Sequence, residues 1–356
     1  MNHELYMNRC FSLAQQARGF TAPNPMVGAV LVYNQKIIGE GWHQQYGGNH
    51  AEVNCLNNVE KGDKHLIPES TLYVNLEPCA HHGNTPPCAD RLVQEKIKHV
   101  VIANTDPFAQ VNGRGVEILK QGGVAVTSGV LEKEGLWLNR RFFCFHTFNR
   151  PYIILKWAQT ADGFIAPADR SRLQITGEYS QLLVHKWRTE EAAVMAGTTT
   201  AMNDNPQLTA RLYDGRQPLR IITDRNLLIP DTHHLFDKKV PTWIVNALKE
   251  ETTDNLEYVK LNYDEPFLEQ LMERLYESRI LSLIVEGGSA LLNSFINVGL
   301  WDEARKFTGK VILNEGIPAP QLKNGDRVLN TFVEQDTLDI FVNNKSPFTY
   351  VRGMDF

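Results

Sequence analysis

Long apolar segments are absent from this sequence of 356 residues, and no uninterrupted run is long enough to span a bilayer. The N-terminal stretch is polar and amphipathic, unlike the charged segment and apolar core of a signal peptide. Cysteine is also scarce, since only five are present, and they are scattered along the chain. These features exclude a secreted disulfide framework. We expect a cytoplasmic protein whose cysteines bind metal or lie in the core.

Basic blocks are missing as well, and the formal net charge is −5. Proteins that bind a phosphate backbone usually present a basic face, so we expect no nucleic-acid partner and no membrane partner. Neither a GxGxxG fingerprint nor a Walker loop occurs. A dinucleotide-binding Rossmann motif and a P-loop are therefore excluded.

The length suits two domains. Helical and strand-like patterns alternate along the whole chain, which predicts a sheet covered by helices in each half. The segment 135–151 is rich in aromatic and basic residues and ends at a proline. We place the boundary there, with domains at 1–147 and 148–356.

Two short motifs place three potential metal ligands near the starts of predicted helices. His50 and Glu52 open one helix, Cys79 follows a strand, and Cys88 opens the next helix. One histidine and two cysteines can supply three zinc ligands and leave a fourth position for water, as in catalytic zinc sites. Zinc lowers the pKa of a water molecule that it binds. The H-x-E…P-C order, with the glutamate as proton shuttle, is that of zinc nucleobase deaminases.

Other interpretations of these residues stay open. The cysteines could form a structural zinc knuckle or have no metal role, and His43, His81 and His82 are competing ligands. Eight residues, AHHGNTPP, separate the cysteines, whereas the short form of the signature has two. The longer loop predicts extra polar groups at the rim of the site, which suits a substrate larger than a bare nucleoside.

Three segments resemble one known family. PNPMVGAVLV at 23–32, GWHQQYGGNHAEVNCL at 41–56 and EPCAHHGNTPPC at 77–88 are similar to the bifunctional deaminase/reductase of riboflavin biosynthesis. The resemblance implies an α/β fold class, with an N-terminal cytidine-deaminase-like α/β/α domain and a C-terminal dihydrofolate-reductase-like α/β domain. It implies zinc-dependent hydrolytic deamination of a diaminopyrimidine phosphoribosylamine, then NADPH reduction of its ribosyl group to ribityl. The eight-residue spacer separates this family from cytidine, cytosine and tRNA-adenosine deaminases.

The resemblance also assigns residues of the deaminase half by position. The implied Zn2+ ligands are His50, Cys79 and Cys88. Glu52 would shuttle protons, and Asn24 would contact the pyrimidine, although the PNP sequence could equally be only a turn. Asn84 departs from the family at this rim position, where a basic residue is more frequent.

In the C-terminal half, an apolar strand leads through Gly287 and Gly288 into a helix, within LSLIVEGGSALLNSFI at 281–296. Glycines at a helix start let backbone N–H groups approach a phosphate, although such a turn can need glycine for its geometry alone. The resemblance adds further landmarks in order, namely LKWAQTADGFIA at 155–166, HKWR at 185–188 and MAGTTTAMNDNPQLTAR at 195–211. The segment from KFTGKVILNEGIPAP onward follows the family pattern poorly.

By position, the resemblance implies three sets of reductase residues. The residues implied to bind NADPH are Gln159, Gln174, Thr200, Asp204, Gly288, Ser289, Ala290, Leu291, Leu292, Asn293 and Ser294. The residues implied to bind substrate are Arg172, Arg188, Leu208, Arg211 and Glu286. Catalytic roles are implied for Lys156, which would polarise or protonate the sugar, and for Asp204.

Simpler roles are open for some of these residues. Lys156 could extend from an alternating strand to solvent, Thr200 could be a helix N-cap, and Asp204 could be a turn residue. An alternative function is a zinc deaminase whose C-terminal half binds nucleotide without reductase activity. A non-catalytic zinc-stabilised module and a nucleic-acid deaminase are two further possibilities. The expected partner is a small phosphorylated pyrimidine, and the resemblance implies a homo-oligomer.

Overall fold

Two compact units make up the chain. The computed structural model describes residues 2–80, 86–108 and 111–354. Unit 1 comprises Met1–Phe148 together with Phe348–Phe356, and unit 2 comprises Asn149–Pro347. The second unit starts next to the boundary placed from the sequence. The last residues of the chain, which the sequence analysis assigned to the second domain, cluster with unit 1 instead.

Unit 1 is built on a mixed sheet. Its strands are β1 (Gly28–Tyr33), β2 (Lys36–Trp42), β3 (Thr71–Leu76), β4 (His99–Asn104) and β5 (Ala125–Ser128). Its α-helices are α1 (His3–Gln15), α2 (Ala51–Asn57), α3 (Cys88–Gln94), α4 (Arg114–Gln121), α5 (Glu132–Leu138) and α6 (Arg140–Phe148), and a 3-10 helix spans Lys64–Glu69. The strand order is β2-β1-β3-β4-β5. Strand β1 runs antiparallel to β2 and β3, whereas β3, β4 and β5 run parallel to one another.

Both faces of this sheet are apolar, as the run GAVLVY predicts for a strand covered on both sides. On one face, Ala29 and Leu31 pack in a core with residues of α2, α3 and α4. On the other face lies α1, whose Cys10 Sγ donates to the carbonyl of Tyr73 at 3.3 Å. The result is the predicted α/β/α arrangement, and Cys10 and Cys55 are fully buried in it.

The C-terminal segment completes unit 1. Phe348 and Met354 are buried, and the ring of Tyr350 stands edge-on to Trp137 with centroids 5.3 Å apart. Arg18 donates to the carbonyl oxygen of Met354 at 3.1 Å. Unit 1 is therefore assembled from both ends of the chain, with unit 2 inserted between α6 and this segment.

Unit 2 is built on a longer sheet. Its strands are β6 (Tyr152–Gln159), β7 (Phe164–Ala166), β8 (Ala193–Gly197), β9 (Leu219–Thr223), β10 (Thr242–Asn246), β11 (Glu251–Thr253), β12 (Leu256–Lys260), β13 (Ser282–Val285), β14 (Glu303–Thr308), β15 (Ile317–Pro318), β16 (Gly325–Val333) and β17 (Asp336–Asn343). Its α-helices are α7 (Glu178–Glu190), α8 (Thr198–Asp204), α9 (Phe267–Glu277) and α10 (Ser289–Val298), with a 3-10 helix at His234–Phe236. Ten strands pair in the order β11-β12-β10-β9-β8-β13-β6-β14-β17-β16, and β7 pairs with β15.

The centre of this sheet is parallel, from β12 through β14. Helices α9 and α10 bury Leu271, Leu275 and Phe295 against it, while α7 contributes the buried Trp187 near Phe307 of β14. The antiparallel strands β16 and β17 lie in the segment that follows the family pattern poorly. Within the part of the chain that the structure describes, no helix combines the length and apolarity needed to cross a membrane.

Candidate functional site

Three potential metal ligands converge at one edge of the unit 1 sheet. His50 is the N-cap of α2, Cys88 is the first residue of α3, and Cys79 follows β3. The Nδ1 atom of His50 lies 3.5 Å from Cys79 Sγ and 3.3 Å from Cys88 Sγ. Ligand atoms around a tetrahedral zinc are about 3.5 Å apart, given the usual Zn–S and Zn–N bond lengths. The three atoms lie within 4.8 Å of one another, so this trio fits zinc.

The two thiols influence each other directly. The backbone N–H of Cys88 donates to Cys79 Sγ at 3.2 Å. The contact with the Cys88 side chain, together with His50, lowers the pKa of Cys79 to about 4. A thiolate is the form of cysteine that binds a metal, so the local geometry favours the ligand form of Cys79. The same contact with Cys79, together with burial, raises the pKa of Cys88.

Glu52 lies in the first turn of α2, two residues after His50. Its side chain is buried, and burial raises its pKa to about 7 despite the opposing effect of His50. A carboxyl group with a pKa near neutrality can both accept and return a proton. The structure therefore brings the predicted proton shuttle beside the predicted metal ligands.

His43 links Asn24 to this cluster rather than acting as a free ligand. Its Nδ1 faces the carbonyl of Asn49 at 2.9 Å, and its Nε2 lies 3.1 Å from the amide Nδ2 of Asn24. The Asn49 carbonyl can only accept, so Nδ1 carries the proton and Nε2 accepts from Asn24. The His43 ring stands edge-on to His50 at 5.6 Å between centroids. The competing candidates His81 and His82, like Asn84, lie outside the described residues.

Asp106 lies at this site but is not among the residues predicted from the sequence. Strands β3 and β4 are parallel, and Leu76 pairs with Asn104, so the residues after both strands meet at one edge of the sheet. Asp106 is buried there, and burial raises its pKa to about 7, with further contributions from Glu77 and Cys79. The rule that sites form at the carboxyl ends of parallel strands identifies Asp106 only once β3 and β4 are known to be parallel neighbours.

In unit 2, Arg188 and Glu286 form a two-pronged ion pair. The Arg188 Nε and Nη2 atoms donate to the two carboxylate oxygens of Glu286, both at 2.8 Å, and Nη1 donates to the carbonyl of Thr209 at 2.9 Å. Lys156 Nζ lies 3.9 Å from the same carboxylate. Arg188 lies near the end of α7, Glu286 directly after β13, and Lys156 on β6. Three residues distant in sequence thus form one cluster.

The charges of this cluster are fixed by mutual contact. Burial by itself would raise the pKa of Glu286, but Arg188 and Lys156 lower it to about 2. Burial lowers the pKa of Lys156, with Glu286 opposing and Arg188 adding to the effect. The Lys156 side chain is largely buried, so the interpretation of a lysine that only reaches solvent is wrong.

The other predicted substrate residues differ in burial and in the charges that act on them. Arg211 is exposed, and burial and then the charges of Arg188 and Arg172 lower its pKa. Arg172 also acts on Asp204, whose pKa is raised by burial and lowered by that arginine. Leu208 is buried and has a positive φ of 53°. Leu208 could therefore contact a substrate only through its backbone or its buried side chain.

The turn that is predicted to bind phosphate lies at the start of α10. Gly288 is the N-cap of that helix. Its backbone N–H donates to the Thr200 Oγ1 atom of α8 at 3.1 Å. Thr200 lies inside α8, whose N-cap is Gly197, so the N-cap interpretation of Thr200 is wrong. The contact joins the two segments that the resemblance assigned to NADPH.

The remaining predicted cofactor residues divide between exposed and enclosed positions. Ala290 and Gln174 are exposed, and Gln174 donates to the carbonyl of Thr176 at 2.7 Å. Gln159 ends β6 and accepts from the indole of Trp157 at 3.1 Å. Leu292 is fully buried in the core of unit 2. Ser289, Leu291, Asn293 and Ser294 are half-buried on α10.

Comparison with known proteins gives these two sites a family. The model of the cytidine and deoxycytidylate deaminase zinc-binding region matches residues 1–104, and the model of the RibD C-terminal domain matches residues 151–331. A riboflavin biosynthesis protein RibD from Aquifex aeolicus (strain VF5) is 40% identical over 317 residues, which are 88% of this chain and 88% of that protein. The chain belongs to the RibD family.

Other RibD proteins extend the likeness. The RibD protein of Escherichia coli (strain K12) is 35% identical over 320 residues, 85% of this chain and 86% of that protein. A Thermotoga maritima crystal structure, described as a diaminohydroxyphosphoribosylaminopyrimidine deaminase/5-amino-6-(5-phosphoribosylamino)uracil reductase, is 34% identical with a TM-score of 0.88. The alignment covers 96% of this chain and 98% of the Thermotoga maritima chain.

Membership of the RibD family confirms the predicted fold of both domains and the predicted bifunctional enzyme of riboflavin biosynthesis. The alternative of a deaminase lacking reductase activity is not favoured. Both cofactor predictions, zinc and NADPH, agree with these two domains.

Proposed function

We propose that unit 1 deaminates a diaminopyrimidine phosphoribosylamine and that unit 2 reduces the ribosyl group of the product to ribityl. The substrates are those in the name of the Thermotoga maritima relative. The single observation that carries the proposal is the trio His50, Cys79 and Cys88, whose ligand atoms lie within 4.8 Å of one another beside the buried Glu52.

In unit 1, His50, Cys79 and Cys88 would hold zinc through one nitrogen and two sulfur atoms. Zinc, when bound, would lower the pKa of a water molecule, so that the water can lose a proton and attack a ring carbon that carries an amino group. Glu52 accepts one proton of that water and passes it to the ring nitrogen as the oxygen bonds to the carbon. It then takes the remaining hydroxyl proton and passes it to the amino group, which leaves as ammonia while the carbonyl forms. Without a metal, burial raises the pKa of Glu52 to about 7, and a carboxyl group that is buried in this way is suited to exchanging protons.

The pyrimidine is oriented by two further groups. Asn24 donates to His43 through its amide nitrogen, which leaves its amide oxygen to accept from an amino group of the ring. Asp106 is buried at the same sheet edge, within electrostatic range of Cys79. Its carboxyl accepts hydrogen bonds from the substrate or, when protonated, donates one.

In unit 2, NADPH, when bound, supplies the hydride. The start of α10 and Thr200 hold its phosphates through backbone N–H groups and a hydroxyl. Lys156 donates a proton or hydrogen bond to the sugar oxygen as the hydride arrives, and Glu286 keeps Lys156 in place. Arg172 and Arg211 bind the sugar phosphate, because a guanidinium is suited to phosphate oxygens.

Arg188 has a structural role in addition to its predicted contact with the substrate. Its Nε, Nη1 and Nη2 atoms already donate within the protein, to Glu286 and to Thr209. Arg188 therefore holds Glu286 and the 209–211 segment, and its remaining N–H groups are available to the substrate.

The test is to supply zinc-loaded protein and NADPH with the diaminopyrimidine phosphoribosylamine, and to measure ammonia released and NADPH oxidised. The proposal predicts equal amounts of both. Ammonia release without NADPH oxidation would reject the reductase assignment. The absence of both signals would reject the deaminase assignment. The homo-oligomer, the cytoplasmic location and the lack of a nucleic-acid partner stay predictions. Light scattering of the purified protein tests the first.

A further inference from the structure

Glu77 opens the EPCAHHGNTPPC segment, yet none of the roles above uses it. It follows β3 directly and precedes the Pro78-Cys79 pair. Its side chain is buried, with only 3% of the residue exposed. A carboxylate is rarely enclosed to this extent unless its oxygens are paired.

Three backbone N–H groups from one distant segment pair with this carboxylate. Its Oε2 accepts from Asp106 at 3.1 Å and from Gly113 at 2.9 Å, and its Oε1 accepts from Val116 at 3.0 Å. Gly113 is the N-cap of α4, and Val116 lies in the first turn of that helix. Hydrogen bonds to a carboxylate are stronger than neutral ones, so this one group holds the connection between β4 and α4 onto the end of β3.

The backbone approach at this junction is close. A Cβ atom at Gly115 would overlap the carbonyl oxygen of Pro78 and lie 3.2 Å from Glu77 Oε1. The start of α4 therefore packs closely against Pro78, the residue that precedes the predicted metal ligand Cys79. Displacing one side of this contact must displace the other.

Asp106 is held twice at this junction. Its backbone N–H donates to Glu77, and its own Oδ1 accepts from the N–H of Phe108 at 2.8 Å. Oδ2 has no hydrogen-bond partner among residues 2–80, 86–108 and 111–354. The Asp106 carboxyl is thus fixed in direction while one oxygen stays available.

We propose that Glu77 is a positioning residue of the deamination reaction, which fixes the Asp106 backbone so that the Asp106 carboxyl meets the pyrimidine beside the Cys79 turn. This inference rests on the proposed deaminase function. Glutamine cannot replace Glu77, because its Nε2 is a donor and would face at least one backbone N–H group. A purely structural helix cap would act on the stability of unit 1 alone.

The experiment uses full-length, zinc-loaded protein. Glu77→Gln, Asp106→Asn and the variant that combines these two changes are each compared with a control, Glu117→Gln. Glu117 is an exposed residue of α4 whose carboxylate accepts a hydrogen bond from Gln121 of the same helix, which makes it the matched control. Zinc per chain, kcat and KM for ammonia release, and NADPH oxidation with the deaminated compound are measured for each. The same variants in a Glu52→Gln background, where turnover should be at least about 10²-fold slower, give substrate affinity by calorimetry.

We expect Glu77→Gln to retain zinc and reductase activity and to lower deaminase kcat/KM about tenfold or more. Because Glu77 acts through Asp106, the double variant should lose no more than Asp106→Asn alone, in turnover or in affinity. Effects that multiply in the double variant would overturn the proposal. So would wild-type activity, or loss of zinc or folding, in Glu77→Gln. Absence of ammonia release from the unmodified protein would instead reject the deaminase function itself.

Discussion

The two units differ in how far apart along the chain their site residues lie. The trio of unit 1 falls within a short segment, with His50 and Cys88 only 38 positions apart. In unit 2, Arg188 and Glu286 are 98 positions apart and meet only because the fold brings the end of α7 close to the residue that follows β13. A site whose residues share one short segment leaves a motif in the sequence, whereas a site assembled by the sheet does not.

They also differ in what their buried carboxyl groups can do. Burial raises the pKa of Glu52 in unit 1 to about 7, which suits proton transfer. Arg188 and Lys156 outweigh burial and lower the pKa of Glu286 in unit 2 to about 2, so that it stays charged. One site is suited to moving protons and the other holds a fixed charge, because cationic side chains outweigh burial only at the second carboxyl.

The largest effect should come from Glu52→Gln, which breaks the comparison by disabling one unit alone. The amide keeps the shape of the side chain but cannot accept a proton, so ammonia release should fall at least about 10²-fold. Zinc content and NADPH oxidation with the deaminated compound should stay unchanged. The exposed Glu60, replaced by Gln, is the control. Ammonia release near the wild-type rate in Glu52→Gln would remove it from the mechanism.

Glu286→Gln tests the fixed charge of unit 2. The variant leaves Arg188, only 11% exposed, without its counter-charge. We expect a loss of about 3 kcal/mol of stability, measured by denaturant unfolding, and a clear loss of NADPH oxidation. Glu257→Gln is the control, because its pair with Arg274 is more exposed, at 24% and 36% of the side chains, and should cost below about 1 kcal/mol. Equal losses for the two variants would contradict the account.

Ending the chain at Pro347 should weaken unit 1 and leave unit 2 intact. The buried side chains of Phe348 and Met354 are lost, and burial of two such side chains contributes about 3 kcal/mol or more. Ammonia release should become more heat-sensitive, while NADPH oxidation with the deaminated compound keeps its heat stability. Arg352→Ala, at an exposed position of the same segment, should change neither. A truncated chain with unchanged deaminase heat stability would show that the segment is dispensable.

The smallest expected effect concerns pH. Burial, and then the charges of Arg188 and Arg211, lower the pKa of His185 to about 4 from 6.5. A group with a lowered folded pKa contributes stability above its unfolded pKa and loses it as pH falls. The melting temperature of unit 2 should therefore fall between pH 6.5 and pH 4, and fall less in His185→Gln. The exposed His234, replaced by Gln, should leave the wild-type slope. An identical slope in His185→Gln would contradict this prediction.

Much of unit 1 could be predicted from sequence, because its elements are short and strongly patterned. GAVLVY and STLYVNL read as buried strands, and β1 and β3 form there. His50, Cys79 and Cys88 carry their chemistry in residue type and order. Asp106 could not be found the same way, since a single aspartate after a strand is common. Only the parallel pairing of β3 and β4 brings it to the site.

Unit 2 was harder to predict beyond its strands and the α10 turn. The pairing of Arg188 with Glu286 requires knowledge of which strands are neighbours, and an isolated arginine on a helix does not supply it. The hairpin β16–β17 alternates weakly between apolar and polar residues at the sheet edge, which gives little periodic signal. The return of residues 348–356 to unit 1 depends on long-range packing of Phe348 and Met354.

The most direct test of consecutive action by the two units is NADPH oxidation by the wild type and by Glu52→Gln. Each protein receives the diaminopyrimidine phosphoribosylamine and, separately, its deaminated form. The account predicts that Glu52→Gln oxidises NADPH only with the deaminated compound, whereas the wild type does so with both. Wild-type NADPH oxidation by Glu52→Gln with the compound that still carries its amino group would contradict the account, because reduction would then not require deamination.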